Sequence, residues 1–219
     1  PPESSLELGA FVDGLVGAAV ARMLGGVPVV RPASPAALTP PEPDCVEVGP
    51  VRIVGGVRPQ NFDCGYRPDG VRFAFDSKTL NDKKSVGKNY QNMINDLATE
   101  ATTVHSRFPY AVVAFMVVIP APCLAEPSRS AIIATLERLG SRRLVDEPVH
   151  RAEAMALVLW EPETGEVLQD RPRPGSSVRL ERFSEAIEGM YVDRYKGLPP
   201  HADAGDEDSV EGVSGSGAG

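Results

Sequence analysis

Two aspartates and a lysine occur close together in a segment that has the pattern of a β-hairpin. The segment runs from Asn61 to Lys78, and Pro68-Asp69-Gly70 within it is typical of a turn. Because side chains alternate along a strand, Asp76 and Lys78 share one face of the second strand. Two carboxylates and a lysine on one sheet face can hold a divalent cation beside a phosphate. That chemistry favours cleavage of a phosphodiester bond.

The position of the turn decides which aspartate is the partner of Asp76. If the hairpin folds about Asp69, Asp63 and Asp76 lie opposite each other, with Cβ atoms roughly 5 Å apart. Carboxylates at that distance repel each other unless a cation or a proton lies between them. A bulge or a different turn would shift the register by one residue and point Asp63 to the other face. We take Asp63 as the first acidic ligand and keep Asp69, at the tip of the turn, as the alternative.

The elements that follow the hairpin separate this pattern from a chance Asp-x-Lys. Asp82-Lys83-Lys84 has the same pattern but no strand before it. From Val86 to about His105, apolar residues recur at helical spacing, and the unbroken apolar run Tyr110–Ile119 predicts a strand that is buried on both faces. The alternative interpretation of Asp76 and Lys78 is a solvated ion pair at the end of a strand.

This order of hairpin, helix and buried strand resembles the PD-(D/E)xK nuclease superfamily over roughly residues 5 to 120. The resemblance implies an α/β fold with a restriction-endonuclease-like core, in which helices flank a mixed central sheet. It implies that Asp63 and Asp76 bind Mg²⁺, for which Mn²⁺ can substitute, and that Lys78 contacts the attacked phosphate or the nucleophilic water. Many members carry another acidic residue on an earlier helix. Glu7 is the candidate here, and a solvated glutamate in the first helical turn is the alternative.

The remaining patterns predict a single nuclease-like domain over residues 1–198, with its core at about 51–120. A proline-rich connector is expected over residues 27–50, and the acidic Gly/Ser-rich residues 199–219 are expected to form a disordered tail. The other predicted elements are helices at Leu8–Met23, Ser130–Leu139 and Val178–Tyr195 and strands at Val51–Val57 and Met155–Trp160.

The net charge of −8 is unusual for a DNA-binding protein, but the charge is unevenly distributed. Residues 199–219 hold five acidic residues and no lysine or arginine, whereas residues 51–110 hold nine basic against six acidic residues. Lys83, Lys84 and Lys88 follow the hairpin closely, and they are the candidates for contacts with DNA phosphates. The alternative is that these lysines form a solvated helix face.

Cysteine content and hydropathy narrow the class of protein further. The three cysteines form no CxxC motif, which is typical of reduced thiols in a cytoplasmic protein. No run of 18 apolar residues is present, so we expect no membrane partner. The resulting hypothesis is a Mg²⁺-dependent DNA endonuclease, most like a type II restriction enzyme, and the resemblance alone implies a homodimer. The alternatives are a repair or resolvase-type nuclease and a non-catalytic module that binds DNA or protein.

Overall fold

The computed structural model of the protein describes residues 5–80 and 83–200. Its helices and strands are, in chain order, α1 (Ser5–Met23), β1 (Val29–Val30), β2 (Val46–Val54), β3 (Pro59–Tyr66), β4 (Phe73–Thr79), α2 (Lys83–His105), β5 (Val112–Pro120), α3 (Ser128–Leu139), β6 (Ala154–Trp160) and α4 (Leu180–Tyr195). None of the described helices is both long enough and apolar enough to cross a membrane.

The six strands form one mixed sheet in the order β1-β2-β3-β4-β5-β6. The β2–β3 and β3–β4 pairs are antiparallel, whereas β1–β2, β4–β5 and β5–β6 are parallel. Two hydrophobic clusters cover the two faces, one built with α1 and α4 and the other with α2 and α3. The predicted α/β class with a mixed sheet between helices is therefore confirmed.

The central strand β5 is buried along its whole length, as the unbroken apolar run predicts. The predicted helices and strands after it also form, with ends that differ by a few residues. The predicted connector over residues 27–50 is wrong at its end, because Val46 already belongs to β2. Arg67 explains this difference. Its guanidinium binds the buried carboxylate of Glu47 in β2 and the carbonyl oxygens of Ala37 and Leu38.

Two glycines allow helices α1 and α2 to lie close to β2 and to the turn that follows it. A Cβ atom at Gly17 of α1 would lie 2.2 Å from Cγ2 of Val48, so α1 lies very close to β2. A Cβ atom at Gly55 would lie 2.0 Å from the carbonyl oxygen of Thr103 in α2. Because real Cβ atoms do not approach other atoms so closely, larger residues at either position would push a helix away from the sheet.

A buried ion cluster around Glu153 joins the elements at the other end of the parallel strands. One carboxylate oxygen of Glu153 binds Arg142 and Arg194, and the other lies 3.1 Å from Nε2 of His105 and accepts the Val113 N–H. The side chain of Glu153 is fully buried. This carboxylate therefore ties α2 and α4 to the starts of β5 and β6.

We expect Glu153→Gln to lower the free energy of unfolding by about 3–5 kcal/mol, because the two arginines would lose their buried counter-charge. Urea unfolding followed by circular dichroism measures this difference. Glu163→Gln, at an exposed glutamate in a turn, is the matched control and should unfold like the wild-type protein. An equally small effect for both substitutions would contradict a structural role for the cluster.

Candidate functional site

Asp76 and Lys78 lie near the end of β4 and point towards α2. Asp76 is buried and Lys78 is partly exposed, and the ammonium group of Lys78 donates a hydrogen bond to Oδ2 of Asp76. The same ammonium group lies 2.9 Å from Oε1 of Glu100 on α2. The lysine therefore bridges two carboxylates from different elements, in a partly buried position rather than at a solvated strand end.

Glu100 is a residue of this group that the sequence analysis did not identify. Its side chain is 3% exposed, and its Oε1 also accepts a hydrogen bond of 3.0 Å from Nε2 of Gln60 on β3. Its Oε2 is buried and accepts no hydrogen bond within the described part of the chain. A detectable signal does exist in the sequence. Glu100 falls on the apolar stripe of α2, between Leu97 and Val104, where a charged residue needs a partner.

Asp63 is placed close to Asp76, but not as the simple hairpin predicts. Three residue pairs of β3 and β4, from Tyr66↔Phe73 to Cys64↔Phe75, have the predicted register. Next to them, Oδ2 of Asp63 accepts hydrogen bonds from the backbone N–H and the hydroxyl of Ser77, at 2.8 and 3.0 Å. This contact agrees with the alternative in which Asp63 points to the other face of the sheet. The carboxylate of Asp63 binds the residue that lies between Asp76 and Lys78.

Asp13 is the acidic residue of α1 that reaches the sheet. Its Oδ1 lies 3.0 Å from the Ser77 hydroxyl, on the opposite face of β4 from Lys78. Glu7, the residue expected in this role, is exposed in the first turn of α1. Asp13 could not be assigned from the sequence, because a single aspartate in an apolar helix does not show which strand it will meet. Its position in the middle of an apolar segment was the available signal.

One hydroxyl proton serves two carboxylates in the group formed by Asp13, Ser77 and Asp63. A serine hydroxyl can donate to only one of them, so the second contact is favourable only when a carboxyl group carries a proton. Burial and the neighbouring charge of Asp63 raise the pKa of Asp13 to about 7. Asp13 is thus the carboxyl group that holds the proton under acidic conditions.

The electrostatics on the Lys78 side of β4 favour a bound cation. Burial, followed by the charge of Glu100, raises the pKa of Asp76 well above its usual range, and the charge of Asp63 adds to this effect. Burial alone would lower the pKa of Lys78, but the charges of Asp76 and Glu100 raise it above its usual value. The ammonium group is therefore charged at neutral pH, and it holds together carboxylates that would otherwise repel each other.

The oxygen ligands at this site suit Mg²⁺ or Mn²⁺, because carboxylates without histidine or thiolate are the donors that hard cations prefer. Asp63 and Asp76 are the ligands that the resemblance implies, and Glu100 adds a buried oxygen that accepts no hydrogen bond within the described residues. In the arrangement described here, no group of three or more acidic, histidine or cysteine side chains among the described residues is close enough to enclose an ion. The ammonium group of Lys78 is the cation between Asp76 and Glu100.

The other predicted site residues lie apart from this group or outside the described residues. Asp69 is exposed at the hairpin turn, where it pairs with Arg72, and hydrogen bonding to Arg72 lowers its pKa. The structure therefore does not bring Asp69 together with Asp76. For Lys83, Lys84 and Lys88 the structure describes the helical backbone and not the side chains, so their predicted contacts with DNA stay a prediction.

A recess of about 320 Å³ lies apart from the carboxylates, beyond the ends of β5 and β6. Its lining includes Arg129 and Arg171 together with Glu161 and Asp170, and none of the charged residues of β4. The mixture of charges gives the recess no strong preference for an anion or a cation. We therefore place the candidate site at the carboxylate group on β4 and not in this recess.

The raised pKa of Asp13 predicts a stability that falls as the pH rises. In the unfolded chain Asp13 ionises near its ordinary pKa of 3.8, whereas in the folded protein it stays protonated up to about pH 7. We expect the melting temperature of Asp13→Asn to rise relative to wild type between about pH 4 and 7 and to follow it above that range. Thermal melts in EDTA measure this. Glu7→Gln is the control in the same helix, and an equal effect in that control would contradict the assignment.

Comparison of the chain with protein-family models, with curated proteins and with solved structures found no match. The resemblance to the PD-(D/E)xK superfamily therefore depends on three residues, Asp63, Asp76 and Lys78, and on the order of the elements around them. The geometry of the site is the ground on which a function can be proposed.

Proposed function

We propose that this protein is a Mg²⁺-dependent DNA endonuclease with a restriction-endonuclease-like core, most like a type II restriction enzyme. The observation that carries the proposal is the ion group of Lys78 and the buried Asp76 and Glu100, which lies beside Asp63 next to the paired part of β3 and β4. The resemblance requires one acidic residue on a strand of a mixed sheet. It also requires, on the adjacent strand, a second acidic residue with a lysine two positions later. The hairpin, the helix and the buried strand follow in the expected order.

In this proposal Asp63 and Asp76 hold the cation, which is Mg²⁺ or, as a substitute, Mn²⁺. When bound, the cation lowers the pKa of a water molecule and polarises a phosphoryl oxygen. Lys78 supplies a compact positive charge to the phosphate, and its three N–H donors allow it to keep one carboxylate contact while it binds the substrate. Ser77 has a positioning role, because its N–H and hydroxyl fix the carboxylate of Asp63.

The partner in this proposal is DNA, bound in part by Lys83, Lys84 and Lys88 at the start of α2. Because phosphate contacts release counterions, binding should weaken strongly as the salt concentration rises. We further propose a homodimer, since cutting both strands needs two sites, and a cytoplasmic location, since none of the three cysteines forms a disulfide within the described structure. A repair or resolvase-type nuclease would use the same site.

A non-catalytic binding or assembly module is the second candidate, and one observation favours it. Lys78 is already neutralised by Asp76 and Glu100, as in an ion group that only stabilises a fold. Under this alternative the cluster would contribute to stability, and its charges would not act on a substrate. Cleavage assays separate the two candidates, because a structural ion group gives no metal-dependent cutting.

We expect Lys78→Ala to reduce plasmid cleavage in Mg²⁺ by about 100-fold or more, since it removes a charge that stabilises the attacked phosphate. Gel analysis of plasmid and phage DNA, with and without EDTA, measures cleavage. Lys196→Ala, at an exposed lysine after α4, is the matched control and should cut like wild type.

The pattern of products distinguishes the remaining possibilities. Discrete bands that need both Mg²⁺ and Lys78 would support a sequence-specific endonuclease, whereas a smear would support a nuclease of low specificity. DNA that stays intact across metal and salt conditions would favour the binding module.

The two candidates for the first acidic ligand give opposite expectations. Asp63→Asn should abolish cleavage, because Asp63 lies beside Asp76 and Lys78, whereas Asp69→Asn should leave cleavage near the wild-type rate. Asp69 contacts Arg72 at the far end of β4, so its loss affects mainly the turn. Initial rates on supercoiled plasmid measure both variants. Loss of activity in Asp69→Asn alone would show that the assignment of Asp63 is wrong.

A further inference from the structure

We infer that Glu100 is a third cation-binding carboxylate of this site, supplied by α2 and not by the hairpin. The inference rests on the proposed function, because it concerns the same cation. Under this inference α2 supplies a ligand to the cation in addition to packing against the sheet. Three features of the described residues carry it: the burial of Glu100, its oxygen without a hydrogen bond, and the sum of charges around Lys78.

The two oxygens of Glu100 have different surroundings. Oε1 accepts hydrogen bonds from Gln60 and Lys78, at 3.0 and 2.9 Å, so the carboxylate is held firmly in one orientation. Oε2 is buried and accepts no hydrogen bond from the described residues. A buried carboxylate oxygen without a donor costs free energy. A glutamate that only neutralised Lys78 would gain stability by satisfying both oxygens, so the arrangement favours a ligand for Oε2.

The charges around Lys78 indicate what this ligand is. When Asp63, Asp76 and Glu100 are ionised they carry three negative charges, and Lys78 supplies one positive charge. The sum is −2. The buried Asp76 and Glu100, 5% and 2% exposed, exceed Lys78 by one negative charge, and the half-buried Asp63 adds the other. Excess charge in a largely buried group is unfavourable unless it is compensated. One divalent cation neutralises it, and carboxylate oxygens are the ligands that Mg²⁺ and Mn²⁺ prefer.

Gln60 supports this assignment from the neighbouring strand. Its amide donates to the same oxygen that contacts Lys78, so the carboxylate keeps a partner if the lysine turns towards a phosphate. The arrangement therefore lets Lys78 leave Glu100 without leaving that oxygen unsatisfied. Glu100 can therefore bind a cation through Oε2 while Lys78 moves away from Oε1, because Gln60 still donates to Oε1.

Calorimetric titration with MnCl₂ tests the inference without any substrate. We expect Glu100→Gln, which keeps the shape of the side chain and removes its charge, to weaken Mn²⁺ binding by about 10-fold or more. Asp96→Asn is the matched control, because Asp96 is an exposed acid one turn earlier on α2, and it should bind like wild type. Asp76→Asn should lose binding altogether.

Lys78→Met provides a second measurement that does not require any change at Glu100. Removing the lysine leaves the carboxylates without their internal cation, so Mn²⁺ should bind at least as tightly as to wild type while DNA cleavage is lost. Weaker Mn²⁺ binding to Lys78→Met than to wild type would overturn the inference. Circular dichroism confirms that each variant is folded.

The outcomes separate this inference from the proposed function. If Mn²⁺ binds Glu100→Gln as tightly as wild type but does not bind Asp76→Asn, Glu100 is not a ligand and the proposed nuclease stands. If wild type binds no Mn²⁺ and leaves DNA intact, both the inference and the proposed function are wrong. Weakened binding in Glu100→Gln beside unchanged binding in Asp96→Asn supports the inference.

Discussion

The charged residues of this protein are organised by the bridge that Lys78 makes between two buried carboxylates. Asp76 comes from the same strand and Glu100 from a helix that packs over it, so one ammonium group joins two layers of the fold. Burying either carboxylate alone would destabilise the fold, and the positive charge of Lys78 offsets the free-energy cost of burying both. The strand, the helix and the neighbouring Gln60 must therefore be placed together, and an error in any of them would leave a buried charge without compensation.

The rest of the fold provides that placement. The close contact at Gly55 brings α2, at Thr103, onto the turn that follows β2, a little less than one helical turn away from Glu100. On the other face, the close contact at Gly17 brings α1 near the sheet, so that Asp13 can reach Ser77. Glu153 then fixes the far ends of α2 and α4. Charged groups lie at both ends of the parallel strands. Two arginines share the single carboxylate of Glu153 at one end, whereas one lysine, Lys78, bridges two carboxylates at the other.

The sequence predicted the elements better than it predicted the contacts between them. The period of α2 and the apolar run of β5 are local patterns, and both elements form where they were expected. Asp76 and Lys78, whose shared face follows from the alternation of side chains along one strand, were also predicted from the sequence. Asp63 was placed nearby, but its contact with Ser77 was not predicted, because the exact course of a strand at the end of its pairing depends on neighbouring strands. Glu100 and Asp13 were missed because helix-to-strand contacts between residues far apart in sequence leave no fixed spacing to detect.

The carboxylate of Asp63 also joins two strands, because a side chain of β3 binds the backbone of β4. Next to the Cys64↔Phe75 pair, this side chain links β3 to β4 by accepting a hydrogen bond from the backbone N–H of Ser77. The distance between β3 and β4 therefore sets the length of side chain that fits at position 63. A glutamate would place its carboxylate one methylene further from Ser77, whereas an asparagine could offer its one oxygen to the same two donors but without the negative charge. An aspartate at position 63 therefore has an architectural role that does not depend on any chemistry at the site.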